Sequence, residues 1–555
     1  MPPNIRQTAA RHLVDALIAN GVEIVFCVPG ESYLAVLDAL YDARDRIRLI
    51  ACRHEAAAAN MAEAYGKLTG KPGICFVTRG PGATQGSVGV HSAFQDSTPM
   101  ILFVGQVARD MIDREGFQEL DYARVFSSMA KWAGQIDDPG RTPEYVHRAF
   151  ATAQNGRRGP VVLALPEDML TTDVEARPRG AAPVAASAPN ADDLARMKAL
   201  IEAAERPLNL VGGGGWTAEA RRSLQRFADA TGLPVAATFR SKDLFDNTHP
   251  NYAGDLGIAP NPKLAARVRE SDLLVAIGPR LGEMTTSGYS LPDPDDPPAL
   301  IHVHPGAEEI GRVYPPTLGV VAAAEPTVKA LADLRWTANA AWRRNAEEAH
   351  ADFEAFSAPV ELLVDGAPDP DGGVNLSKVF AWLDASLPAD AIVCNGAGNY
   401  AAWLHRFYRH RDYKTQLAPT SGAMGYGFPA ALAAKATHPE RTVVCAAGDG
   451  CFMMAASELA TAMQYDLAVI VLVANNGTYG TIRMHQERDY PGRVSGTDLV
   501  NPDFAAFARS FGAFGASVAD AGDFPHAFEE ARASGRPAVI ELKTSARHIA
   551  PGKTL

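Results

Sequence analysis

Two short polar motifs stand directly after two apolar segments in the last third of the chain. Gly448-Asp449-Gly450 follows the apolar residues 442–447, and Asn475-Asn476 follows the apolar residues 468–474. A helix-like segment separates the two motifs, so the pattern predicts a βαβ unit. The carboxyl ends of parallel strands meet at one edge of a sheet, and ligands bind outside that edge. We therefore expect Asp449 and Asn476 to lie close together.

The residue types at this predicted edge suit a metal ion and a phosphate group. A carboxylate, an amide oxygen and backbone carbonyls are ligands for Mg²⁺, which also uses phosphate oxygens and water. The glycines that flank Asp449 allow backbone N–H groups to approach a diphosphate closely. A Gly-Asp-Gly sequence alone is more often an ordinary turn, but the two asparagines after the next strand favour a binding site.

The order Gly-Asp-Gly followed by Asn-Asn resembles the signature of the thiamine diphosphate (ThDP) enzymes. This resemblance implies that Asp449, the Asn476 side chain and the Thr478 carbonyl bind Mg²⁺. It also implies ThDP contacts at Gly448, Gly450 and Cys451.

Glu55 stands between a predicted strand, residues 47–51, and an alanine-rich predicted helix, residues 56–68. A carboxyl group in this position is commonly a cap favoured by the helix dipole. The segment HEAAAANMAEAYGKLTG, however, resembles the one that carries an acid–base glutamate in the acetolactate-synthase-like branch of ThDP enzymes. The resemblance implies that Glu55 exchanges a proton with the cofactor's aminopyrimidine.

Other residues match family positions around the substrate. Gly30 matches a glycine that faces the thiazolium ring, and Gln118 matches a glutamine of the catalytic pocket. Phe117 and Lys131 match pocket residues of the same region, although residues 117–119 alone predict an exposed helix start. His485 occupies the place of a tryptophan that selects the second substrate in acetolactate synthases.

Two further positions depart from the family, and a glycine-rich segment lies beside them. Glu31 and Arg79 both fall where substrate choice is expected to be set. The segment after Arg79 predicts a turn containing Gly80, Gly82 and Gly86, followed by a helix. It lacks the Lys-Ser/Thr of a P-loop and the G-x-G-x-x-G spacing, so a nucleotide loop is not indicated.

The resemblance also implies cofactor contacts before the Gly-Asp-Gly motif. Gly398, Asn399 and Tyr400 occupy the place of a Gly-Gln-His segment near the diphosphate. Met424 matches the apolar residue that holds the cofactor bent, and the backbone groups of Gly422 and Met424 are expected to meet the aminopyrimidine. Taken alone, Met424 could equally be a core residue. The bent cofactor would place its amine beside the reactive carbon.

Length and composition predict a globular α/β protein with several domains. The chain has 555 residues, 47% hydrophobic and 21% charged, and a net charge of −12. These values argue against nucleic-acid or anionic-membrane binding. The six scattered cysteines predict reduced core residues, and the N-terminal sequence lacks a signal peptide, so we expect a cytoplasmic protein.

Three domains are predicted, namely a pyrimidine-binding domain at residues 1–175, a Rossmann-like central domain at 190–340 and a diphosphate-binding domain at 374–548. Extended linkers are expected at residues 176–189 and 343–373. In the central domain four glycines, 212–215, follow a strand, and Arg280 resembles an arginine that touches FAD in acetolactate synthases. FAD, another nucleotide or no ligand therefore remain open for this domain.

The resemblance covers the whole chain and implies an enzyme whose active site forms between subunits of a homodimer or a dimer of dimers. The leading reaction is decarboxylation of pyruvate and carboligation to acetolactate, with ThDP supplying the carbanion chemistry. The alternatives are a 2-oxo acid decarboxylase, a lyase or carboligase for other aldehydes, an acetyl transfer to phosphate and a flavin-dependent 2-oxo acid oxidase. A non-catalytic ThDP-binding subunit is disfavoured by the presence of Glu55, Asp449 and Asn476.

Overall fold

The computed structural model describes residues 4–555 and contains three six-stranded parallel sheets, each accompanied by helices. This architecture confirms the predicted α/β fold. The described residues divide into two compact units. The first unit contains the residues up to Ala185, together with Pro419–Pro439 and Met453–Leu467. The second contains Ala186–Ala418, Glu440–Phe452 and Ala468–Leu555.

The N-terminal sheet has the strand order β3-β2-β4-β5-β7-β6, and a separate antiparallel pair joins β1 to β8. Alternate strand residues such as Val25, Ile74 and Phe103 face a core formed with α1, α2 and α6, as expected for a period of two. The strands of this region are β1 (Ile5–Thr8), β2 (Ile24–Cys27), β3 (Arg48–Ala51), β4 (Gly73–Val77), β5 (Met100–Gln106), β6 (Trp132–Gln135), β7 (Pro160–Pro166) and β8 (Asp173–Ala176). The helices are α1 (Ala9–Ala19), α2 (Leu34–Asp42), α3 (Glu55–Thr69), α4 (Gly80–Asp96), α5 (Tyr122–Val125), α6 (Thr142–Gln154) and α7 (Glu167–Thr171).

Helices α3 and α4 pack closely, and this contact corrects the prediction that Gly80, Gly82 and Gly86 form a turn. All three glycines lie inside α4, which begins at Gly80. A β-carbon on Gly89, one turn further on, would lie 2.5 Å from the β-carbon of Ala59 in α3. Gly89 therefore allows the close approach of the two helices, which a count of turn-forming residues does not reveal.

The central sheet has the order β11-β10-β9-β12-β13-β14, with a core on each face. Its strands are β9 (Pro207–Val211), β10 (Val235–Ala237), β11 (Tyr252–Asp255), β12 (Leu273–Ile277), β13 (Ala299–Val303) and β14 (Leu318–Val320). Its helices are α8 (Ala191–Ala203), α9 (Ala218–Thr231), α10 (Pro262–Glu270), α11 (Ala324–Asp333) and α12 (Ala340–Phe356).

The two predicted linkers differ in outcome. Of the first linker, predicted at residues 176–189, residues 177–189 form neither helix nor strand, whereas Ala176 ends β8. The second linker is wrong over its first half, because α12 occupies Ala340–Phe356. Trp342, Ala346, Ala349 and Phe353 of α12 recur at helical spacing and are buried against the central cores. The polar composition of the segment conceals this narrow apolar stripe.

The C-terminal sheet has the order β18-β17-β19-β20-β22-β21. It belongs to the second unit, whereas α15 and α17 belong to the first. The strands of this region are β15 (Leu363–Val364), β16 (Ala367–Pro368), β17 (Ile392–Asn395), β18 (Gln416–Leu417), β19 (Val443–Gly448), β20 (Ile470–Asn475), β21 (Phe514–Val518) and β22 (Ala538–Lys543). The helices are α13 (Leu376–Ser386), α14 (Tyr400–Phe407), α15 (Gly427–Thr437), α16 (Asp449–Met453), α17 (Leu459–Gln464), α18 (Gly480–Asp489), α19 (Phe504–Ser510) and α20 (Phe524–Ala533).

All six cysteines are buried and free, which confirms their predicted place in the core. Within residues 4–555, no helix is both long and apolar enough to cross a membrane.

Candidate active site

The ends of β19 and β20 form the edge predicted from the sequence. The two strands are neighbours and parallel, and Gly448 at the end of β19 is in register with Ala474 of β20. Asp449 follows as the first residue of α16, and β20 ends at Asn475, directly before Asn476. The βαβ prediction is therefore confirmed, and the carboxylate and the two amides reach the same edge.

The Asp449 carboxylate is buried, with 4% of the residue exposed, and its hydrogen-bond partners are neutral amides. One oxygen accepts the N–H of Gly450 at 2.8 Å, and the other accepts the N–H of Gly477 at 2.9 Å and Nδ2 of Asn501 at 2.8 Å. Burial raises the pKa of Asp449, although these hydrogen bonds act in the opposite direction. A bound cation would offset the cost of burying this charge.

The loop after β20 contacts Asp449 through the N–H of Gly477 and contains two more oxygen atoms of the predicted metal site, the Asn476 amide oxygen and the Thr478 carbonyl. Gly477 has a positive φ of 66°, and the Asn476 amide oxygen accepts the N–H of Thr478 at 3.2 Å. Thr478 is buried, and its hydroxyl donates to the carbonyl of Thr497 at 2.9 Å. One carboxylate, one amide oxygen and one carbonyl in a fixed loop fit a hard divalent cation such as Mg²⁺.

Across the described chain, no group of three or more His, Cys, Asp or Glu side chains is arranged to hold a metal. A cation at the Asp449 edge would therefore depend on amide and carbonyl oxygens in addition to the single carboxylate.

Asn501 is a site residue that the sequence analysis missed. Its Nδ2 donates to Asp449 and also to the Asn475 side-chain oxygen, at 2.9 Å. Asn475 in turn donates to Glu541 on the neighbouring strand β22 at 2.7 Å. Asn501 lies in an irregular segment without a motif, so nothing in the local sequence indicates this contact.

The residues Gly398, Asn399 and Tyr400 follow β17, the neighbour of β19 on its other side. The Tyr400 hydroxyl accepts the N–H of Gly396 at 3.0 Å and donates to Sγ of Cys451 at 3.3 Å. Its ring lies so close to Gly448 that a β-carbon there would be 3.0 Å from it. Tyr400 and Cys451 thus connect the ends of β17 and β19. This packing role is separate from the cofactor contact that the sequence analysis predicts for both residues.

Asn399 is oriented by helix α18. Its side-chain oxygen accepts the Thr481 hydroxyl at 2.9 Å, and its Nδ2 lies 3.6 Å from Sδ of Met484. The next residue of α18, His485, is exposed. The C-terminal tail reaches the start of this helix, because a β-carbon on Gly480 would lie 2.8 Å from Ile549.

Glu55 is the first residue of α3, directly after the N-cap residue His54, whose ring accepts the N–H of Ala56 at 3.1 Å. The turn before it is fixed by the buried Glu458, which accepts the N–H of Arg53 at 3.0 Å. A β-carbon on Gly82 of α4 would lie 3.5 Å from Oε1 of Glu55, so Gly82 leaves space beside the carboxylate. Glu458 was also missed by the sequence analysis.

Gly422 and Met424 lie in the loop of residues 419–426 that precedes α15. Gly422 and Gly425 have positive φ values of 69° and 75°, a conformation that favours glycine. The structure assigns this loop to the same compact unit as Glu55. Met424 is half-buried, so its predicted contact with a cofactor stays a prediction.

The predicted substrate-pocket residues of the N-terminal region each contact different parts of the protein. A β-carbon on Gly30 would lie 2.6 Å from the β-carbon of Thr78, so packing alone requires glycine there. Gln118 has a positive φ of 65°, and its carbonyl accepts the N–H of Gly80 at 2.9 Å. Phe117 is 71% exposed and lies in an irregular segment, not at a helix start.

Lys131 and Arg79 are engaged by protein groups. The Lys131 ammonium donates to the carbonyls of Thr152 and Asn155 at the C-terminal end of α6. The Arg79 guanidinium is buried, pairs with Glu167 and lies 3.9 Å from Glu31. Both predicted departures, Glu31 and Arg79, therefore belong to one charged cluster at the ends of β2, β4 and β7.

The glycines of the central domain are explained by packing and do not indicate a dinucleotide-binding site. A β-carbon on Gly212 would lie 1.8 Å from the Thr238 hydroxyl, and one on Gly213 would lie 2.1 Å from the Gly278 carbonyl. Contact between neighbouring strand ends accounts for both. Arg280, which matched an FAD-contacting arginine, lies 3.4 Å from the buried carboxylate of Glu309.

Three domain families of known proteins match this chain in order. Residues 7–125 match the N-terminal TPP binding domain of thiamine pyrophosphate enzymes, residues 194–331 match their central domain, and residues 396–542 match their C-terminal TPP binding domain. Thiamine pyrophosphate is another name for ThDP. The predicted domain boundaries are compatible with these ranges but stay predictions.

Individual relatives align over nearly the whole chain. The acetolactate synthase large subunit of Parasynechococcus marenigrum is 34% identical over 531 residues, covering 94% of this chain and 84% of that protein. The acetolactate synthase large subunit of Corynebacterium glutamicum is 32% identical over 552 residues, covering 97% and 87%. That of Haemophilus influenzae is 30% identical over 536 residues, covering 94% and 92%. The three matched domains and these relatives show that the chain belongs to the thiamine pyrophosphate enzymes, as a member of the acetolactate synthase large-subunit type.

Proposed function

We propose that the protein is a ThDP- and Mg²⁺-dependent enzyme that decarboxylates a 2-oxo acid and joins the remaining fragment to a second carbonyl compound. The leading reaction is the conversion of two pyruvate molecules to acetolactate and carbon dioxide. The observation that carries the proposal is the buried Asp449 carboxylate beside the Asn476 loop, at the edge of the matched C-terminal domain. The names of the relatives, acetolactate synthase large subunits, support the choice of acetolactate as the product.

In this proposal Asp449, Asn476 and the Thr478 carbonyl would hold Mg²⁺, and the cation would offset the negative charge of the diphosphate. Gly398, Asn399, Gly448 and Gly450 lie at the neighbouring strand ends and are assigned to the diphosphate. When bound, ThDP supplies the carbanion chemistry that breaks and forms the bond next to the 2-oxo group. The protein supplies the orientation of the cofactor and the movement of protons.

Glu55 is assigned the proton exchange with the aminopyrimidine. It begins α3, where the helix dipole favours a carboxylate, and Gly82 leaves its oxygen uncovered by a side chain. Gly422 and Met424 are assigned to orient the same ring. Gln118, Gly30, Phe117, Lys131 and His485 remain candidates for the substrate pocket.

The decisive test is carbon dioxide release from pyruvate by protein reconstituted with Mg²⁺ and ThDP, with the organic product identified. We expect acetolactate from the wild type, a large loss with Glu55→Gln, and no loss with the matched variant Glu23→Gln, because Glu23 is exposed. Release of carbon dioxide with free aldehyde would instead indicate a decarboxylase. Absence of turnover of pyruvate despite ThDP binding would refute the acetolactate assignment and direct the search to other oxo acids and aldehydes.

We further propose that two copies of the chain form each active site, with Glu55 from one copy and Asp449 from the other. Mixing the inactive variants Glu55→Gln and Asp449→Asn after dissociation and reassembly should then restore partial activity, because mixed dimers contain one intact site. Failure of any mixture to regain activity would contradict the shared site. A different affinity tag on each variant, with sequential purification over both tags, establishes whether mixed dimers formed.

A further inference from the structure

The loop of residues 419–426 is tied at both ends to buried carboxylates of α3 and α4. At its start, Oδ1 of Asp96 accepts the N–H of Thr420 at 2.7 Å and also the Thr420 hydroxyl. The other oxygen of Asp96 accepts Nζ of Lys67 at 2.7 Å. The Asp96 side chain is completely buried, so this contact is shielded from water.

At the other end of the loop, the buried Tyr426 hydroxyl donates to Glu63 of α3. The second oxygen of Glu63 accepts the Thr98 hydroxyl at 2.8 Å. Burial raises the pKa of Glu63 to about 7. A buried carboxyl group is stable only with such partners, so the position of Tyr426 is strongly determined.

The middle of the loop is also held by a hydrogen bond between the hydroxyls of Ser421 and Ser92 of α4 at 3.0 Å. Between these contacts lie Gly422 and Gly425, both with positive φ. A glycine-containing loop loses more conformational entropy than other segments when it is ordered. The hydrogen bonds at its two ends restrict the loop before a ligand binds, so less conformational entropy of the loop is lost on binding.

We propose that Asp96 and Glu63 are positioning residues for the cofactor, because they hold the loop that presents Gly422 and Met424. The inference rests on the proposed function, which assigns these two residues to the aminopyrimidine. Asp96 and Glu63 act through Thr420 and Tyr426 and touch neither cofactor nor substrate. Helix α3 thus carries Glu55 at its N-terminus and a loop anchor, Glu63, in its third turn.

The experiment removes one hydroxyl from each end of the loop with the double variant Thr420→Val/Tyr426→Phe. Its matched control is Thr437→Val, since Thr437 lies in the same segment but donates only to the carbonyl of Ala433 in its own helix. A rescue variant, Thr420→Ser/Tyr426→Phe, restores the hydroxyl that donates to Asp96. Each protein is compared with the wild type by hydrogen exchange and by ThDP titration in the presence of Mg²⁺.

Hydrogen exchange of residues 420–426 is measured without cofactor, so it tests the tethers independently of the proposed function. We expect faster exchange in the double variant, wild-type exchange in the control and partial recovery in the rescue variant. ThDP binding, followed by protein fluorescence, should be about tenfold weaker in the double variant, with kcat at saturating ThDP reduced less than the affinity.

Two outcomes would overturn the inference. Unchanged exchange in the double variant would show that the carboxylates do not hold the loop. Faster exchange with unchanged ThDP affinity would show that the loop does not position the cofactor. If the wild type itself binds no ThDP, the proposed function fails, and the positioning role fails with it even where the exchange data support the tethers.

Discussion

Replacing Asn501 by alanine tests whether the Asp449 edge is a cation site. Asn501 donates from one nitrogen to Asp449 at 2.8 Å and to Asn475 at 2.9 Å. The first is a hydrogen bond to a carboxylate, worth roughly 1.5–3 kcal/mol, and the second is a neutral bond, worth roughly 0.5–1.5 kcal/mol. Asn501 is half-buried, so water replaces part of both bonds and we expect a total cost of about 2 kcal/mol.

The sign of the pH effect follows from the buried carboxylate. Burial raises the pKa of Asp449, and the bond from Asn501 lowers it again in part. Asn501→Ala removes that bond, so Asp449 keeps its proton to a higher pH than in the wild type. Because Mg²⁺ binds the ionised form, the variant should bind Mg²⁺ about tenfold more weakly near pH 8, and this loss should grow as the pH falls.

The assay is a Mg²⁺ titration of ThDP binding at about pH 6 and about pH 8, followed by protein fluorescence. Asn339→Ala is the matched control, because it removes the N-cap of α12 at a cost of about 1 kcal/mol without touching Asp449. The reasoning is refuted if Asn501→Ala binds Mg²⁺ like the wild type at both pH values. It is also refuted if the control shows the same pH-dependent loss.

Three further variants test the structure by chemical denaturation. The pKa of Glu63 is raised from 4.5 to about 7, so the stability that its protonated form contributes at low pH is lost as the pH rises through this window. Glu63→Gln cannot ionise and should reduce that loss of stability by up to ~3 kcal/mol. An unchanged pH dependence of stability in this variant would exclude a raised pKa for Glu63. Gly89→Ala should lower the denaturation midpoint, because overpacking against Ala59 costs ~1–3 kcal/mol and outweighs the gain of about 1 kcal/mol in helix propensity. A raised midpoint would show that α3 and α4 can move apart to accommodate the added methyl group. Lys242→Met should cost about 2–4 kcal/mol, because the buried ammonium donates to two carbonyls at the end of α14; a neutral result would show that these carbonyls find other donors.

The edge at Asp449 was predictable because every step of the inference is local. The two apolar strands, the short helical segment between them and the polar residues at their ends all lie within one continuous stretch. Parallel pairing of successive strands then brings the strand ends together without further information. The start of α3 at Glu55 was predictable for the same reason, since a strand, a polar turn and an alanine-rich helix follow one another.

The errors arise where composition and tertiary packing point in different directions. Residues 340–356 are polar on average, yet one narrow stripe is enough to bury a helix against the central sheet. The glycines 80, 82 and 86 resemble a turn by composition, but they lie in α4, a helix that packs so closely on α3 that Gly89 has no room for a β-carbon. In both cases the deciding partner is distant in sequence.

The polar partners of the site show how far sequence reasoning can extend. Asn501 carries no motif, and its two acceptors precede it by tens of residues, so its role is visible only in the structure. Glu63 is different, because it lies in the middle of an alanine-rich predicted helix with few other polar residues. A carboxyl group in such a place must have hydrogen-bond donors or lose its charge. The sequence could therefore have indicated that Glu63 has buried hydrogen-bond partners. It could not have identified Tyr426 as one of them, because that contact depends on how the chain returns to α3 more than three hundred residues later.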